Sequence, residues 1–266
     1  MSRDFELLQR AEREGRYARE RSLSGMAVPA FPADFRPTRP LPDSSLEEAV
    51  QIQTASSPVG RLDDFASQEL TKLVQRLFLT TDSQLRAVTF AGIEAANGSA
   101  FAAASTAEIL AAHTSGNVCV LDCDLDRPTL HQHFALANGN GTSEALSAGV
   151  PIRESARRVQ SRLWVVSAGR GLTASLTRQN LQELKAELLT SFEYVILAAP
   201  PISLAPAALM LAQSSDGLVM VLEAGSTRRE SAQKVTQDFQ RAGVSLLAAI
   251  LNNRTFPIPA ALYARL

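Results

Sequence analysis

Lysine is scarce in this sequence, and several features that would place the chain outside the ordinary globular class are missing. Only three of the 26 basic side chains are lysines, Lys72, Lys185 and Lys234, so chemistry that needs a lysine has few candidates. No window approaches the roughly 18 to 20 uncharged apolar residues that cross a bilayer, and the charged start of the chain is unlike a signal peptide. We therefore expect a cytoplasmic protein without a membrane span.

Neither charge nor cysteine content points to a specialised class. With 26 basic and 27 acidic residues the net charge is −1, which excludes a generic nucleic-acid binder. Hydrophobic residues make up 45% of 266 residues, enough for a sizeable core. The two cysteines, Cys119 and Cys123, stand at an even offset in an apolar run, and we interpret them as buried thiols.

The first 60 residues differ in composition from the rest. Residues 3–21 are dense in arginine and acids and predict a short charged helix. Six of the thirteen prolines lie between Pro29 and Pro58, which excludes continuous helix or central strand there. We interpret residues 1–60 as a charged helix and a proline-rich arm, and residues 61–266 as the folded domain with a short C-terminal tail. The arm is either a tether for a partner or a solvated segment without function.

From residue 62 onward, helical and strand patterns alternate. Helices are predicted at 62–79, 99–114, 179–189, 204–213 and 228–241, and strands at 85–91, 118–121, 163–166, 194–197, 217–222 and 246–251. This alternation predicts an α/β fold with a mostly parallel, doubly wound sheet. In such sheets the site lies beyond the carboxyl ends of the strands.

The loop after the first strand has the place of a phosphate-binding loop but lacks two of its parts. Such a loop needs glycine, a lysine for the phosphates and a hydroxyl for Mg²⁺. Gly98 is present, but Ser99 stands where the lysine would be and Ala100 where the hydroxyl would be. Taken alone, this segment is equally well interpreted as an ordinary strand-to-helix turn.

The next loop carries a pair of carboxylates where the second strand ends. Asp122 and Asp124 are two residues apart in Leu-Asp-Cys-Asp-Leu-Asp-Arg-Pro-Thr-Leu-His. One could hold Mg²⁺ through water while the other accepts a proton from an incoming hydroxyl. The alternative is an Asp-rich turn that caps the following helix, with Asp126 before Pro128. The strand at 194–197 ends in Ala198 and Ala199, where a metal-binding acid would stand in phosphate-loop NTPases.

These segments together resemble the cytoplasmic bacterial tyrosine kinases of capsule and exopolysaccharide synthesis, which are deviant-Walker phosphate-loop ATPases related to MinD and ParA. The resemblance covers about residues 69–266 and includes, in family order, segments at 121–131, 141–149, 166–169, 199–202, 224–230 and 251–259. It implies a P-loop NTPase fold of the deviant-Walker type. It also implies that Gly98, Ser99 and Ala100 are the remnant of the nucleotide site, with Asn252 as a base-contact candidate or a turn residue.

The departures from the family pattern lie where catalysis would take place. The phosphate-loop lysine and the strand-end acid are replaced, and Asp122 and Asp124 remain as the catalytic remnant. The subunit-contact pattern Glu-x-x-Arg-x-x-Arg is reduced to Glu69-x-x-Lys72-x-x-Gln75, and the C-terminal tyrosine cluster to Tyr263. Mg-ATP is therefore expected only if the remnant site still binds.

Two further groups of side chains are candidates for ligand binding. His131 and His133 are two residues apart, so they do not share a helix face, and we predict no metal site. Arg228 and Arg229 at a helix start could bind phosphate or lie in solvent, and we favour solvent.

Three functions follow from the sequence. The first is a degenerate kinase-like protein with a regulatory or scaffolding role. The second is an active ATP-dependent tyrosine autokinase, with an arginine from a neighbouring subunit replacing the lysine. The third is a weak nucleotide-binding module without phosphotransfer. The resemblance implies as partner a membrane adaptor or chain-length-determinant protein, or a paralogous kinase, of polysaccharide export, with a possible homo-oligomer, no nucleic acid, and membrane association only through a partner.

Overall fold

A seven-stranded sheet organises the part of the chain that the structure describes. The structure, a computed structural model, describes residues 62, 64–80, 83–95, 98–171 and 176–253. Its helices are α1 (Asp64–Phe78), α2 (Ser99–His113), α3 (Leu130–His133), α4 (Thr142–Ala148), α5 (Ile152–Ser155), α6 (Arg178–Ser191), α7 (Ala207–Ser214) and α8 (Arg229–Arg241). Its strands are β1 (Ala87–Gly92), β2 (Val118–Asp122), β3 (Arg157–Gln160), β4 (Leu163–Val166), β5 (Tyr194–Ala198), β6 (Gly217–Glu223) and β7 (Leu246–Asn252).

The strand order is β3-β4-β2-β5-β1-β6-β7, and every pairing is parallel except that of β3 with β4. Strands β1, β2 and β4 are buried along their whole length. Continuous apolar strands of this kind are typical of a sheet covered on both faces. The predicted doubly wound α/β fold is confirmed.

Helices cover the two faces of the sheet and build two cores. On one face α1, α2 and α3 pack through residues that include Val74, Leu110 and Leu130. On the other, α6, α7 and α8 pack through residues that include Leu188, Leu211 and Phe239. Helix α2 buries small side chains on several sides, which lets it lie close to the sheet.

The two cysteines lie in the second of these cores. Cys119 and Cys123 are both buried and neither forms a disulfide. Burial raises the pKa of the Cys119 thiol well above its ordinary value. The interpretation of both as buried thiols is confirmed.

The structure differs from the predicted elements in three respects. Strand β3 was not predicted, because its sequence Arg-Arg-Val-Gln is polar and its residues are half-buried or exposed. Helix α7 begins at Ala207, three residues later than predicted, because Pro206 occupies its N-terminal cap and the preceding residues form a turn closed by the Leu204 N–H to the Pro201 carbonyl at 3.1 Å. The short helices α3, α4 and α5 were also not predicted.

The predicted charged helix and proline-rich arm at residues 1–60 lie outside the described residues, as does the C-terminal segment 254–266. The division at residues 60 and 61 therefore stays a prediction. Within the described residues, no helix combines the length and the apolar character needed to cross a membrane.

Candidate functional site

The loops singled out by the sequence meet at the carboxyl edge of the sheet. Strand β1 lies between β5 and β6, and the chain crosses from β1 through α2 to β2 on the far side of β5. Connections therefore leave β1 and its neighbours in opposite directions, which opens a crevice at the end of β1. The candidate site is this crevice and the loops that surround it.

The loop after β1 ends in a glycine that the geometry requires. Gly98 has φ +73°, in the left-handed region that favours glycine. A Cβ at this position would also overlap Nδ2 of Asn252, at the end of β7. The structure thus brings Asn252 against the start of α2, where Ser99 and Ala100 form the first turn.

The first turn of α2 keeps the backbone character of an anion site. No side chain caps the helix N-terminus, and its first turn contains no acidic residue. The backbone N–H groups of a helix start and the helix dipole both favour negative charge. The first two side chains of the helix, Ser99 and Ala100, bring no charge to this turn.

Asp122 is the last residue of β2, and its carboxylate binds the backbone of the following loop. Its Oδ1 accepts from the N–H of Asp124 at 3.1 Å, and its Oδ2 accepts from Thr129 at 3.0 Å and Leu130 at 2.9 Å. Leu130 begins α3, so Asp122 holds the first N–H groups of that helix as a capping residue does. The structure thus places Asp122, and not the Asp126 that the alternative interpretation named, against the first N–H groups of α3.

Burial changes the acidity of Asp122. The residue is 1% exposed, and burial raises the pKa of its carboxyl to about 6, against the opposing effect of the three backbone hydrogen bonds. Nearby Asp124 adds to the increase. A carboxylate in this position is enclosed by backbone donors, an arrangement unlike that of an acid that faces a hydrated cation.

Asp124 is less buried than Asp122. It is half-buried, its Oδ1 accepts from the N–H of Arg127 at 3.0 Å, and burial raises the pKa of its carboxyl, partly offset by Arg127. The neighbouring Asp126 is exposed. Asp124 is thus the more accessible member of the predicted pair.

The end of β5 contributes methyl groups where an acid would be expected. Ala198 is 2% exposed and lies in register between Phe90 of β1 and Asp122 of β2. The chain then crosses the end of β1, with the Ala199 N–H bound to the Phe90 carbonyl and the Ile202 N–H bound to the Gly92 carbonyl, each at 2.9 Å. This wall of the crevice is apolar.

All three lysines of the sequence lie among the described residues, away from the β1 loop. Lys72 pairs with Glu69 at 2.6 Å on exposed α1. Lys185 pairs at 2.8 Å with Asp216, whose carboxylate also binds the Arg86 and Ala87 N–H groups at the amino edge of the sheet. Lys234 is exposed in the second turn of α8.

One of the three tyrosines is described, and it also lies at the amino edge. Tyr194 begins β5, and its ring packs edge-on against Phe78 at 5.7 Å between centroids. Burial, the largest influence, and Glu193 raise the pKa of its hydroxyl. A phosphate acceptor at this position would stand at the opposite end of its own sheet from the candidate site. Tyr17 and Tyr263 lie outside the described residues.

A polar network beside the candidate site was missed by the sequence reasoning. Glu144 accepts from the Gly141 N–H at 2.7 Å and the Arg170 N–H at 2.9 Å, and Asn138 exchanges two hydrogen bonds with the backbone of Gly169. Burial alone would raise the pKa of Glu144, but these backbone donors and the Ser143 hydroxyl lower it. The network joins α4 to the loop after β4. The sequence contained one signal for it: Glu144 follows Gly141 by three residues, a spacing that is typical of a helix start.

The two histidines of α3 do not form a metal site with neighbouring side chains. His133 is buried between Phe101 and Phe134, with ring centroids at 5.3 and 4.7 Å, and its Nε2 lies 3.6 Å from Oε2 of Glu108. In the described segments, no group of three or more His, Cys, Asp or Glu residues is arranged to hold a metal ion.

Solved structures identify the class of this fold. The structure matches the septum site-determining protein MinD of Pyrococcus horikoshii with a TM-score of 0.54 at 16% identity, over 68% of this chain and 76% of that one. It matches the kinase domain of the Escherichia coli tyrosine kinase ETK with a TM-score of 0.64 at 18% identity, over 85% and 99%. The protein therefore has the α/β fold of the deviant-Walker P-loop NTPases.

Sequence comparison then shows which proteins of this fold the chain is similar to. No protein-family profile matches the chain. It is 27% identical over 181 residues to the tyrosine-protein kinase YwqD of Bacillus subtilis, covering 66% of this chain and 76% of that protein. It is 24% identical over 185 residues to a putative tyrosine-protein kinase CapB of Staphylococcus aureus, covering 66% and 78%. By sequence, the chain is a relative of the bacterial tyrosine-protein kinases, as its motifs predicted.

Proposed function

We propose that this protein is a degenerate relative of the bacterial tyrosine kinases, with lost or weak ATP binding, that serves capsule or exopolysaccharide biosynthesis as a regulatory or scaffolding partner. The observation that carries the proposal is the set of side chains at the carboxyl edge. Ser99 replaces the phosphate-loop lysine, buried Ala198 replaces the strand-end acid, and Asp122 is bound to three backbone N–H groups.

These side chains do not fit Mg-ATP as an intact site would. A charge-assisted hydrogen bond to phosphate contributes roughly 1.5 to 3 kcal/mol, so losing the lysine alone weakens binding by about one to two orders of magnitude. Glu94 adds a negative charge to the same loop. None of the three lysines lies in this loop, and two of them are held in ion pairs elsewhere.

A second function has one observation in its favour. The uncapped first turn of α2, entered through left-handed Gly98, retains backbone donors for an anion, which supports a weak nucleotide-binding module without phosphotransfer. An active autokinase needs more, namely a cation from outside the chain and an accessible tyrosine. The distant position of Tyr194 favours the first two functions over this one.

The partner and the location are part of the proposal. We expect a membrane adaptor or chain-length-determinant protein, or a paralogous kinase, with residues 1–60 as the tether, and a cytoplasmic protein that meets the membrane through that partner. Self-association is a further expectation. Removing residues 1–60 should abolish co-purification with the partner, while unchanged partners would contradict the tether.

Calorimetric titration with Mg-ATP tests the proposed function directly. We expect no measurable binding in the micromolar range for the wild-type chain, because the loop lacks its cation. Ser99→Lys/Ala100→Thr restores the two missing groups and should improve affinity by about ten-fold or more. The matched control Gln233→Lys adds the same charge on exposed α8 and should leave affinity unchanged. Micromolar binding by the wild-type chain would refute the proposal.

A further inference from the structure

One edge of the sheet is built from arginines although the whole chain is close to neutral. Between Glu144 and Glu183 the sequence contains six arginines and a single acid, Glu154. Four of these arginines lie on α5, β3 and the turn to β4, namely Arg153, Arg157, Arg158 and Arg162. We call these four residues the arginine edge.

The arginines of this edge follow the direction of an exposed strand. Arg153, Arg157 and Arg162 are exposed, and Arg157 begins β3 while Arg162 follows its last residue by two positions. Arg157 and Gln160 stand about 10 Å apart along the strand at about 3.4 Å per residue, and Arg162 lies in the turn beyond Gln160. The positive charge is therefore arranged along a line.

Nearby carboxylates do not neutralise this line. The guanidinium of Arg157 donates to the backbone carbonyl of Glu154 at 3.1 Å, a contact that leaves its charge unpaired. Glu187 of the neighbouring helix α6 accepts from the Ile152 N–H at 2.8 Å. No salt bridge joins an arginine of this edge to an acid among the described residues.

One of the four arginines has a structural function instead. The Arg158 guanidinium lies 5.9 Å from the ring centre of Trp164 and donates to the carbonyls of Gln160 and Ser161. Its hydrogen bonds fix the turn that follows β3, and its planar guanidinium is suited to stacking on the Trp164 ring. The other three arginines remain available to a partner.

The backbone of β3 provides a second element of recognition. Strand β3 is the last strand of the sheet as described, so its outer side has no pairing strand. Unpaired N–H and C=O groups at such an edge accept an added extended segment. Short length and charged side chains also protect edges from aggregation, so the test below has to separate recognition from protection.

A membrane is a poorer match to this edge than a peptide. Surface helices that bind anionic lipid combine basic residues with large apolar ones that insert. The exposed large apolar side chains of the described residues are Phe65, Leu204 and Leu251, on α1, the loop after β5 and the opposite edge strand β7. None of them flanks the arginine edge.

We propose that the arginine edge binds an extended acidic segment of a partner protein, added as a further strand along the outer side of β3. This inference rests on the proposed scaffolding function and names the chemistry of its partner. Carboxylates at alternate positions of the added segment would face the arginines, while its backbone would pair with β3.

The test is the binding of a fluorescein-labelled peptide of about ten residues, alternating glutamate and threonine, to the full-length chain by fluorescence anisotropy. Arg153→Gln/Arg157→Gln/Arg162→Gln should weaken binding by about ten-fold, which corresponds to about 1.4 kcal/mol. The control Arg76→Gln/Lys234→Gln/Arg241→Gln, which removes the same charge at other exposed positions, should change affinity by less than about two-fold. Melting temperatures of both variants establish that they fold.

Two further arms separate the sources of binding. A peptide with N-methyl groups on its threonines keeps its charge but loses donors for strand pairing, and it should bind more weakly. Vesicles containing phosphatidylserine should not bind through the arginine edge. Equal weakening by both triple variants, equal affinity of both peptides, binding to vesicles alone, or no peptide binding would each overturn the inference. None of these measurements involves nucleotide, so tight Mg-ATP binding would refute the proposed function and leave this inference standing.

Discussion

The capping geometry of Asp122 predicts an unusual dependence of stability on pH. Its carboxylate lies at the end of a buried strand and holds the N–H groups of Asp124, Thr129 and Leu130. Burial raises its pKa from 3.8 to about 6. A raised native pKa means that, between these two values, the folded chain binds more protons than the unfolded chain.

The sign and size of the effect follow from this difference. The stabilising contribution of the protonated carboxyl is fully present below the unfolded pKa near 4 and is lost as the pH rises through about 6. A shift of about two units corresponds to about 3 kcal/mol. Asp122→Asn cannot titrate, so the stability of the wild-type chain relative to this variant should fall by about 3 kcal/mol between about pH 4 and pH 7.

Urea unfolding measures this difference directly. Trp164, the single tryptophan of the sequence, is 5% exposed and packs against Phe192, so its fluorescence reports loss of the core. The unfolding free energies of the wild-type chain and of Asp122→Asn are measured across this pH range. Their difference cancels the contributions of the other titrating groups, because these are common to both proteins. If the difference does not vary with pH, the reasoning about burial is refuted.

Repeating the measurement with Mg²⁺ distinguishes a cap from a metal ligand. If the Asp122 carboxylate is enclosed, Mg²⁺ should change the unfolding free energies of the wild-type chain and of Asp122→Asn equally. Stabilisation by Mg²⁺ of the wild-type chain alone would contradict the capping function. Asp122→Ala serves as the second variant, because it removes the acceptor of a buried N–H group. It should cost about 1 to 3 kcal/mol near pH 4, and because alanine cannot titrate either, this cost should decrease as the pH rises, as it does for Asp122→Asn.

Two other substitutions test contacts at the carboxyl and the amino edge of the sheet. Gly98→Ala should cost about 1 to 2 kcal/mol because of its positive φ and the overlap with Asn252, and Asn252→Ala in the same chain should recover part of that loss; purely additive unfolding energies would contradict the contact. Asp216→Asn should cost about 1 to 3 kcal/mol at neutral pH, because Asp216 binds Lys185 and two backbone N–H groups. Although burial alone would raise the pKa of Asp216, Lys185 and these donors lower it, so its contribution is lost as the pH falls, and the deficit of the variant should shrink in acid. A deficit that is constant with pH in urea unfolding would be inconsistent with this network.

The fold is independent of the side chains that departed from the kinase pattern. The buried apolar strands and the small residues of α2 build the sheet and its two cores, whereas Ser99, Ala100 and Ala198 lie where α2 begins and β5 ends, next to the loops of the carboxyl edge. Loops on a rigid sheet can change their chemistry with little effect on packing. A chain can therefore keep this fold while the side chains of its site change.

The sequence by itself determined the elements whose hydrophobic pattern is strong. The predicted strand at 194–197 and the observed β5 differ by one residue, and the helix predicted at 62–79 is observed as Asp64–Phe78. Lysine scarcity and the presence of Ser99, Ala100 and Ala198 at these positions can also be established from the sequence, since they concern residue identity. Local periodicity suffices here because each pattern lies within one element.

Only the tertiary structure decided what the polar residues contact. Asp122 reaches Leu130 eight positions away, Lys185 reaches Asp216 thirty-one positions away, and Asn252 meets Gly98 across the sheet. Strand β3 forms because it pairs antiparallel with β4, although its own sequence has no strand pattern. The physical reason is that hydrophobic period is encoded between near neighbours, whereas hydrogen-bond partners and charge pairs depend on where turns and strand order place distant residues.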